Sequence, residues 1–419
     1  MGRLICQEIF GEENFICNFL WKSRQTTDSR KSTKVSTDHE YILSYAKCIT
    51  NFSLQGKDID KTKYKNPDND LRGSWASIDL SVQATKDQRP NQFYEITDPK
   101  TGHNYPANPQ RVWSKCKDVV NKMIEENRII FPSEITGRPR EKKFLADLRS
   151  EQTGFSSWLN STEVGYTTNG TRDFSDLFEE RIFDFPKSVS LIKTLIYQAT
   201  NNESIVLDFF SGSSTTAYAL MKLNSEDNGN RRFISVQLPE LTNVQSIAYK
   251  TGHKTIAEIG KERIRRAGRK IKAENADKAG IEQLDIGFRV LKVDSSNMKD
   301  VYYTPDKLKQ GDLDQFTDNI RDHITPEDLL FQVLLDWGVD LTLPITQETI
   351  AGFTVLFVDD NALAACFDAD INEAFVKELA ARHPMRVVFR DAGFASDSVK
   401  INIEQIFKLI SPATEIKVI

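Results

Sequence analysis

The sequence predicts an α/β protein with a doubly wound parallel sheet and a separate C-terminal α/β domain. Two short apolar runs, at 204–210 and 231–238, have the composition of buried strands. One helical segment precedes the first run and another lies between the two, which is the element order of a doubly wound sheet. With 419 residues, the chain is long enough for two to four domains at about 100 to 200 residues each.

The first 50 residues predict a helix followed by two strands. Residues 4–20 begin with helical apolar spacing and pass into a predicted strand at 16–21. The run at 23–38 is rich in Ser, Thr and basic residues without an apolar period, which indicates a solvated loop. Aromatic and β-branched residues within 39–47 predict the second strand.

Residues 51–150 are irregular and basic, with about 18 Lys and Arg against 14 Asp and Glu. Isolated aromatic residues lie between the basic ones, a mixture that suits a surface contacting phosphates and bases. The alternative is an ordinary α+β insertion with a solvated face. Trp75 and Trp113 are either base-stacking or core residues.

Regular structure returns with a helix at 187–200 and ends with a long basic helix at 254–271. The turn between them, Asp208–Thr216, follows the first apolar run and opens a helix, as in a cofactor-binding loop. Gly212 allows a ligand to approach the backbone. An ordinary tight turn remains the alternative. Neither GxxxxGK[ST] nor GxGxxG occurs, which argues against a P-loop and a nicotinamide dehydrogenase.

The net charge of −5 is unevenly distributed: residues 1–275 carry +6 and residues 276–419 carry −11. This asymmetry suggests two surfaces with different partners. In the acidic part, the pattern predicts a strand at 285–294, a helix at 327–339, a hairpin at 353–367, a helix at 371–383 and a strand at 385–391.

Other classes are excluded by composition. The five cysteines are scattered without a CxxC pair and the five histidines are equally dispersed, so we expect neither a disulfide framework nor a metal site. No stretch approaches 18 consecutive apolar residues, and the N-terminus lacks a signal-peptide pattern. We therefore expect a cytoplasmic protein without a membrane segment.

The loop resembles the FxGxG motif of S-adenosylmethionine methyltransferases, here Phe210, Gly212 and Ser214. More widely, LDFFSGSSTTAYALMKLN, NRRFISVQLPE and GHKTIAEIGKERIRRAGRK resemble the Mod subunits of type III restriction-modification systems. Those are adenine-N6 DNA methyltransferases in which the catalytic motif precedes the cofactor motif. The resemblance covers nearly the whole chain and is weakest across 51–130.

The resemblance implies S-adenosyl-L-methionine as cofactor. It assigns to the cofactor site Lys187, Asp208, Phe209, Phe210, Gly212, Ser213 and Gln237. Ser214 replaces the second glycine of FxGxG, which we expect to require a negative φ. Gln237 replaces the acid that usually binds the ribose, so its hydrogen bonds lack charge assistance.

The resemblance also implies a layout of four parts. Residues 1–50 end the catalytic core, 51–180 form the target-recognition region, 181–275 bind the cofactor, and 276–419 contact a second Mod subunit or the Res subunit. The expected substrate is double-stranded DNA, with candidate phosphate contacts at Lys61, Lys63, Lys65, Arg111, Lys115 and Arg138.

The family's catalytic motif, usually DPPY, does not occur in the chain, so no catalytic residue is assigned. In the family, that motif holds the target base after it has been flipped out of the DNA duplex. We therefore expect the chain to form only part of a Rossmann-like methyltransferase sheet. We also expect it to be inactive until an upstream fragment supplies the motif. The alternative is a non-catalytic DNA-binding or assembly fragment of the same system.

Overall fold

The computed structural model describes residues 2–29, 32–134, 136–299 and 319–419. The chain forms two compact units, Met1–Gly287 and Phe288–Ile419, and its fold is mixed α/β.

The first unit contains short strands in several small sheets, with helices between them. Its α-helices are α1 Gly2–Phe10, α2 Lys117–Glu125, α3 Ser161–Val164, α4 Thr167–Phe178, α5 Val189–Ala199, α6 Thr215–Asp227, α7 Ile247–Lys250 and α8 Ile256–Glu274. Its strands are β1 Phe15–Lys22, β2 His39–Tyr45, β3 Lys57–Asp58, β4 Trp75–Asp79, β5 Glu95–Thr97, β6 Asn104–Pro106, β7 Ile129–Ile130, β8 Arg140–Phe144, β9 Gln152–Thr153, β10 Trp158–Leu159, β11 Ile205–Asp208 and β12 Arg232–Ser235.

The predicted N-terminal strands form one sheet in the order β10-β1-β2, with β1 antiparallel to β2 and parallel to β10. Alternation along β1 directs Phe19 and Trp21 into a core that also contains Leu191 of α5. This core therefore links the N-terminal sheet to the helix that precedes the Asp208–Thr216 loop.

The irregular basic region has a small core of its own. The sheet β4-β8-β7 and the hairpin of β5 and β6 surround buried residues that include Leu80, Trp113 and Val120. Trp113 is 1% exposed and donates its indole N–H to the Tyr94 carbonyl at 2.8 Å. Of the two alternatives for Trp113, the structure therefore shows the core residue.

The Asp208–Thr216 loop connects β11 to α6, and α6 is followed by β12, which pairs in parallel with β11. The residues of α6 are buried on most sides of the helix, as expected because its sequence has no continuous polar face. No other described strand extends this pair, so the predicted doubly wound sheet remains a prediction. The prediction that the two strands are buried is wrong: Leu207 is 48% exposed and Ile234 is 43% exposed, because nothing described covers that face.

The second unit is a five-stranded sheet between helices. Its elements are α9 Pro326–Asp336, β13 Ile345–Ile350, β14 Phe353–Val358, β15 Leu363–Cys366, α10 Glu373–Ala380, β16 Arg386–Phe389, α11 Asp397–Ile410 and β17 Glu415–Val418. The strands lie in sequence order, with antiparallel pairing as far as β15 and parallel pairing after it. One sheet face packs on α10 and α11 and the other on α9, which explains the continuous apolar runs of the central strands.

Two results differ from the predictions for this part of the chain. Residues 285–294, predicted as a strand, contain no regular element. The helix α11 and the strands β13 and β17 were not predicted, because their apolar residues are diluted by polar ones. No helix of the described residues is both long and apolar enough to cross a membrane.

Candidate cofactor site

A cavity of about 510 Å³ lies between α5, β11 and the start of α6. One wall is apolar and comes from Ile192, Leu195 and Ile196. The lining also contains the polar residues Lys187 and Asp208. The cavity therefore combines an apolar wall with two groups of opposite charge, as binding sites for polar small molecules do.

The Asp208 carboxylate fixes the start of the loop. It accepts a hydrogen bond from the Phe210 backbone N–H at 3.2 Å and another from the Thr216 hydroxyl at 2.6 Å. The loop is also tied to β12, because the Ser211 N–H donates to the Val236 carbonyl at 3.1 Å. An acid at the end of the strand thus connects both ends of the turn to one side chain.

Two consecutive changes of backbone direction follow, at Gly212 with φ 50° and Ser214 with φ 59°. Both angles lie in the left-handed region, which glycine adopts freely and other residues adopt at a cost of about 1 to 2 kcal/mol. The expectation of a negative φ at Ser214 is therefore wrong. The turn needs a left-handed residue immediately before α6, and the serine takes that conformation.

Gln237 lies just beyond β12 and supports the loop from the side. Its amide oxygen accepts the Gly212 N–H at 2.7 Å, and its amide nitrogen donates to the Leu238 carbonyl at 3.1 Å. The role of Gln237 as a ribose ligand remains a prediction. In the structure its side chain holds the loop through the hydrogen bond from Gly212.

The other predicted residues of the loop point in different directions. Phe209 is 63% exposed and Phe210 is 90% exposed, and Phe210 also lines the cavity. Ser213 is instead buried, with its hydroxyl directed at Arg263 of α8. The loop therefore presents aromatic rings outward and hydroxyl groups inward.

Lys187 precedes α5, whose first turn is capped by the Ser188 hydroxyl. Its ammonium lies 2.6 Å from the Glu40 carboxylate and 5.5 Å from the centre of the Trp21 ring. Lys187 thus lines the cavity while its ammonium contacts two residues of the N-terminal sheet. The structure places three predicted residues, Lys187, Asp208 and Phe210, around one cavity.

Of the predicted phosphate contacts, Lys61 and Lys63 share one 3-10 turn and the other four lie outside the helices and strands. Four of them meet carboxylates: Lys61 with Glu151, Lys63 with Asp60, Arg111 with Asp79 and Lys115 with Glu141. These ion pairs reduce the positive potential that the four side chains can offer to DNA. Lys65 and Arg138 are exposed.

Sequence reasoning assigned no role to two residues that shape the site, Thr216 and Arg263. Thr216 is the last residue of the predicted loop, two residues after the motif, so its proximity to Asp208 could have been inferred from the helical turn. Arg263 belongs to a basic helix that looks solvated. It nevertheless occupies the same stripe as Ile259, Ala267 and Ile271 at a spacing of four residues, which is a signal of burial.

Comparison with known proteins gives a consistent picture. Residues 3–257 match the family model for N6/N4 methyltransferases, described as DNA methylase. The Type III restriction-modification enzyme StyLTI Mod subunit of Salmonella typhimurium is 33% identical over 319 residues, which are 75% of this chain and 45% of that protein. The EcoPI Mod subunit of Escherichia phage P1 is 29% identical over 94% of this chain and 64% of its own length.

A relative from another system also matches. The Type II methyltransferase M.KpnI of Klebsiella pneumoniae is 29% identical over 61% of this chain and 64% of that protein. The resemblance to type III Mod subunits that the sequence motifs suggested is thus confirmed. The chain spans between 45% and 64% of the length of the two Mod relatives.

Proposed function

Because this chain belongs to the N6/N4 DNA methylase family, we propose that it is a Mod-like subunit serving adenine-N6 methylation of DNA. The cavity beside the Asp208–Thr216 loop carries the proposal, because it lies within the family-matched residues and is lined by the motif itself. The proposed cofactor is S-adenosyl-L-methionine, which supplies an activated methyl group.

The chemistry of the cavity suits this cofactor. The Lys187 ammonium can pair with the carboxylate of the cofactor, and the Asp208 carboxylate can pair with the ammonium of the cofactor. The exposed Phe210 ring can stack on the adenine of the cofactor. Gly212 leaves room for a ligand beside the backbone. Phe209, Ser213 and Gln237 complete the proposed set by shaping the loop.

Calorimetric titration of the full chain with S-adenosyl-L-methionine tests this assignment. We expect saturable binding that Asp208→Ala weakens by at least tenfold, since the substitution removes a charge and the link between both ends of the turn. The matched control is Glu203→Ala, which removes an exposed carboxylate just before β11. Absence of binding by the wild-type chain would contradict the proposal.

We further propose that these 419 residues need a polypeptide carrying the Pro-Pro-aromatic motif in order to transfer methyl groups. No two prolines are adjacent in the chain. The strand pair β11–β12 also has an apolar exposed face with Ile205, Leu207 and Ile234. Parallel strands are normally covered on both faces, so this face suits a complementing polypeptide.

Complementation tests this second part of the proposal. Radiolabelled methyl transfer to double-stranded DNA is measured with the chain alone and after mixing with the motif-bearing part of a type III relative. We expect transfer only in the mixture. Transfer by the chain alone contradicts the requirement for a second polypeptide, and DNA binding without cofactor binding favours the assembly-fragment alternative.

For the remaining regions, we propose that 51–180 contacts DNA and that 276–419 contacts a second Mod subunit or the Res subunit. The basic balance of the first and the acidic balance of the second support this division. Lys65 and Arg138 are the first candidates for phosphate contacts because both are exposed. Replacing each by Gln should weaken DNA binding and flatten its salt dependence.

A further inference from the structure

The helix α8 packs against the Asp208–Thr216 loop through two residues about one turn apart, Gly260 and Arg263. Arg263 is fully buried. One terminal nitrogen of its guanidinium donates to the Ser213 carbonyl at 3.2 Å, the Ser213 hydroxyl at 2.8 Å and the Thr215 hydroxyl at 2.7 Å. A single side chain therefore holds the last part of the loop and the first residue of α6.

Gly260 permits this close approach. A Cβ atom at this position would lie 2.6 Å from the Ser214 hydroxyl oxygen and 3.2 Å from the Gly212 carbonyl oxygen. Even an alanine would therefore push against the loop backbone. The packing of α8 also encloses Ser214, the residue in the left-handed conformation.

The burial of Arg263 is expensive for stability alone. Its Nε and second terminal nitrogen have no hydrogen-bond partner among the described residues. No carboxylate pairs with it directly within the described part of the chain, and its neighbours are the rings of Phe174 at 5.1 Å and Tyr218 at 5.7 Å. Burial of a charge without an ion-pair partner lowers the stability of the fold, and an apolar side chain would avoid that loss.

Burial lowers the pKa of Arg263 to about 10, so the guanidinium remains charged at neutral pH. A positive charge thus lies directly behind the loop and the first turn of α6.

We propose that Arg263 is a positioning residue for the S-adenosyl-L-methionine site, acting through its hydrogen bonds to Ser213 and Thr215. The inference rests on the proposed cofactor and deepens it. The residue does not line the cavity. Its effect on the cofactor is indirect, through the shape of the loop.

The test compares two buried arginines that hold opposite ends of α6. Arg231 is 4% exposed and binds the Thr200 hydroxyl, the Asn202 amide oxygen and the Asp227 carboxylate, away from the loop. Arg231→Met should lower thermal stability because it leaves Asp227 unpaired, whereas Arg263→Met removes an unpaired buried charge and should not. Only Arg263→Met should weaken S-adenosyl-L-methionine binding, by about tenfold, when affinity is measured at a temperature where both variants are folded.

Arg263→Lys retains the charge and should restore part of the affinity. If Arg263→Met does not fold, Arg263→Lys and Gly260→Ala carry the test, and each should weaken binding at least threefold. Affinities within twofold of wild type in all folded variants would overturn the inference while leaving the proposed cofactor intact.

Hydrogen exchange separates this inference from the proposed function. The amides of residues 211–216 should exchange faster in Arg263→Lys than in wild type and should be unchanged in Arg231→Lys. This result requires no bound cofactor. Unchanged exchange in Arg263→Lys contradicts the positioning role, whereas failure of wild type to bind S-adenosyl-L-methionine contradicts only the cofactor assignment.

Discussion

Ser214 shows how one residue can carry the strain of a binding loop. Its φ of 59° is unfavourable for a side chain, yet it is enclosed by α8 and lies at the N-cap of α6. The Ser214 N–H donates to the Ser211 carbonyl at 2.6 Å, which closes the turn. The strain is thus maintained by surrounding contacts.

Ser214→Gly should stabilise the chain by about 0.5 to 1 kcal/mol, because glycine adopts this φ without steric cost. The control is Ser213→Gly, which removes a hydroxyl bonded to Arg263 and should destabilise by about 1 kcal/mol. Denaturant unfolding of both variants measures the difference. A loss of stability in Ser214→Gly would show that the serine side chain contributes more than its backbone strain costs.

Cys366 makes the stability of the chain dependent on alkaline pH. The side chain is fully buried in the core of the second unit, and burial raises its thiol pKa from 9.0 to about 12. Between these values the unfolded thiol ionises while the folded thiol stays protonated. Stability is therefore complete below pH 9 and falls above it by about 1.4 kcal/mol per pH unit.

Cys366→Ala should have a smaller decline in unfolding free energy between pH 9 and pH 11 than wild type. The matched control is Cys48→Ala, because Cys48 is exposed and cannot contribute a comparable burial effect. Equal pH slopes in the two variants would contradict the role of Cys366.

The sequence predicts the chemistry of the Asp208–Thr216 loop better than the conformation of its backbone. Asp208 and Gly212 stand in a recognisable local pattern, so their part in the turn follows from neighbours along the chain. The φ of Ser214 depends on Gly260, a distant residue on another helix. Burial of Arg263 likewise depends on how α8 packs, which the high charge of that helix conceals.

At the scale of elements, β11 and β12 are predictable in position but not in environment. Their apolar runs are typical of strands buried on both sides. In the structure, the alternate residues of both strands, including Leu207 and Ile234, remain exposed. Local sequence specifies the strand, whereas its burial requires other elements to pack on it.

Ile234→Lys should therefore leave the free energy of unfolding of the isolated chain unchanged to within about 0.5 kcal/mol, since the isoleucine is 43% exposed and does not line the cavity. The same variant should lose methyl transfer in the complementation assay, because a lysine would be buried under the added polypeptide. Leu409→Lys, at an exposed leucine of α11, is the control. A large destabilisation by Ile234→Lys would mean that the face is already covered.

At the scale of the whole molecule, the chain has two units with separate cores. The core of the second unit is centred on its five-stranded sheet and includes Leu379, which is fully buried. The first unit distributes its buried residues over several small clusters. We expect the two units to unfold in separate transitions, because each core is complete within one unit.

Leu379→Ala should lower only one calorimetric transition, at a cost of about 2 to 5 kcal/mol. Val120→Ala, in the core of the basic region, should lower only the other. Coincident shifts of both transitions in either variant would contradict independent unfolding. In the second unit the uninterrupted apolar runs predicted β14, β15 and β16, whereas β13, β17 and α11 could not be predicted because polar residues dilute their apolar ones.

The contact between Lys187 and Trp21 gives the protein an optical signal. The indole is 1% exposed, and the ammonium lies 5.5 Å from its ring centre while also pairing with Glu40. A ligand carboxylate that draws the ammonium into the cavity would change the electric field at the indole. Tryptophan emission should then shift on addition of S-adenosyl-L-methionine, and Trp21→Phe should abolish the shift whereas Trp337→Phe should preserve it. The same ion pair that borders the cavity would thus report its occupancy without any added label.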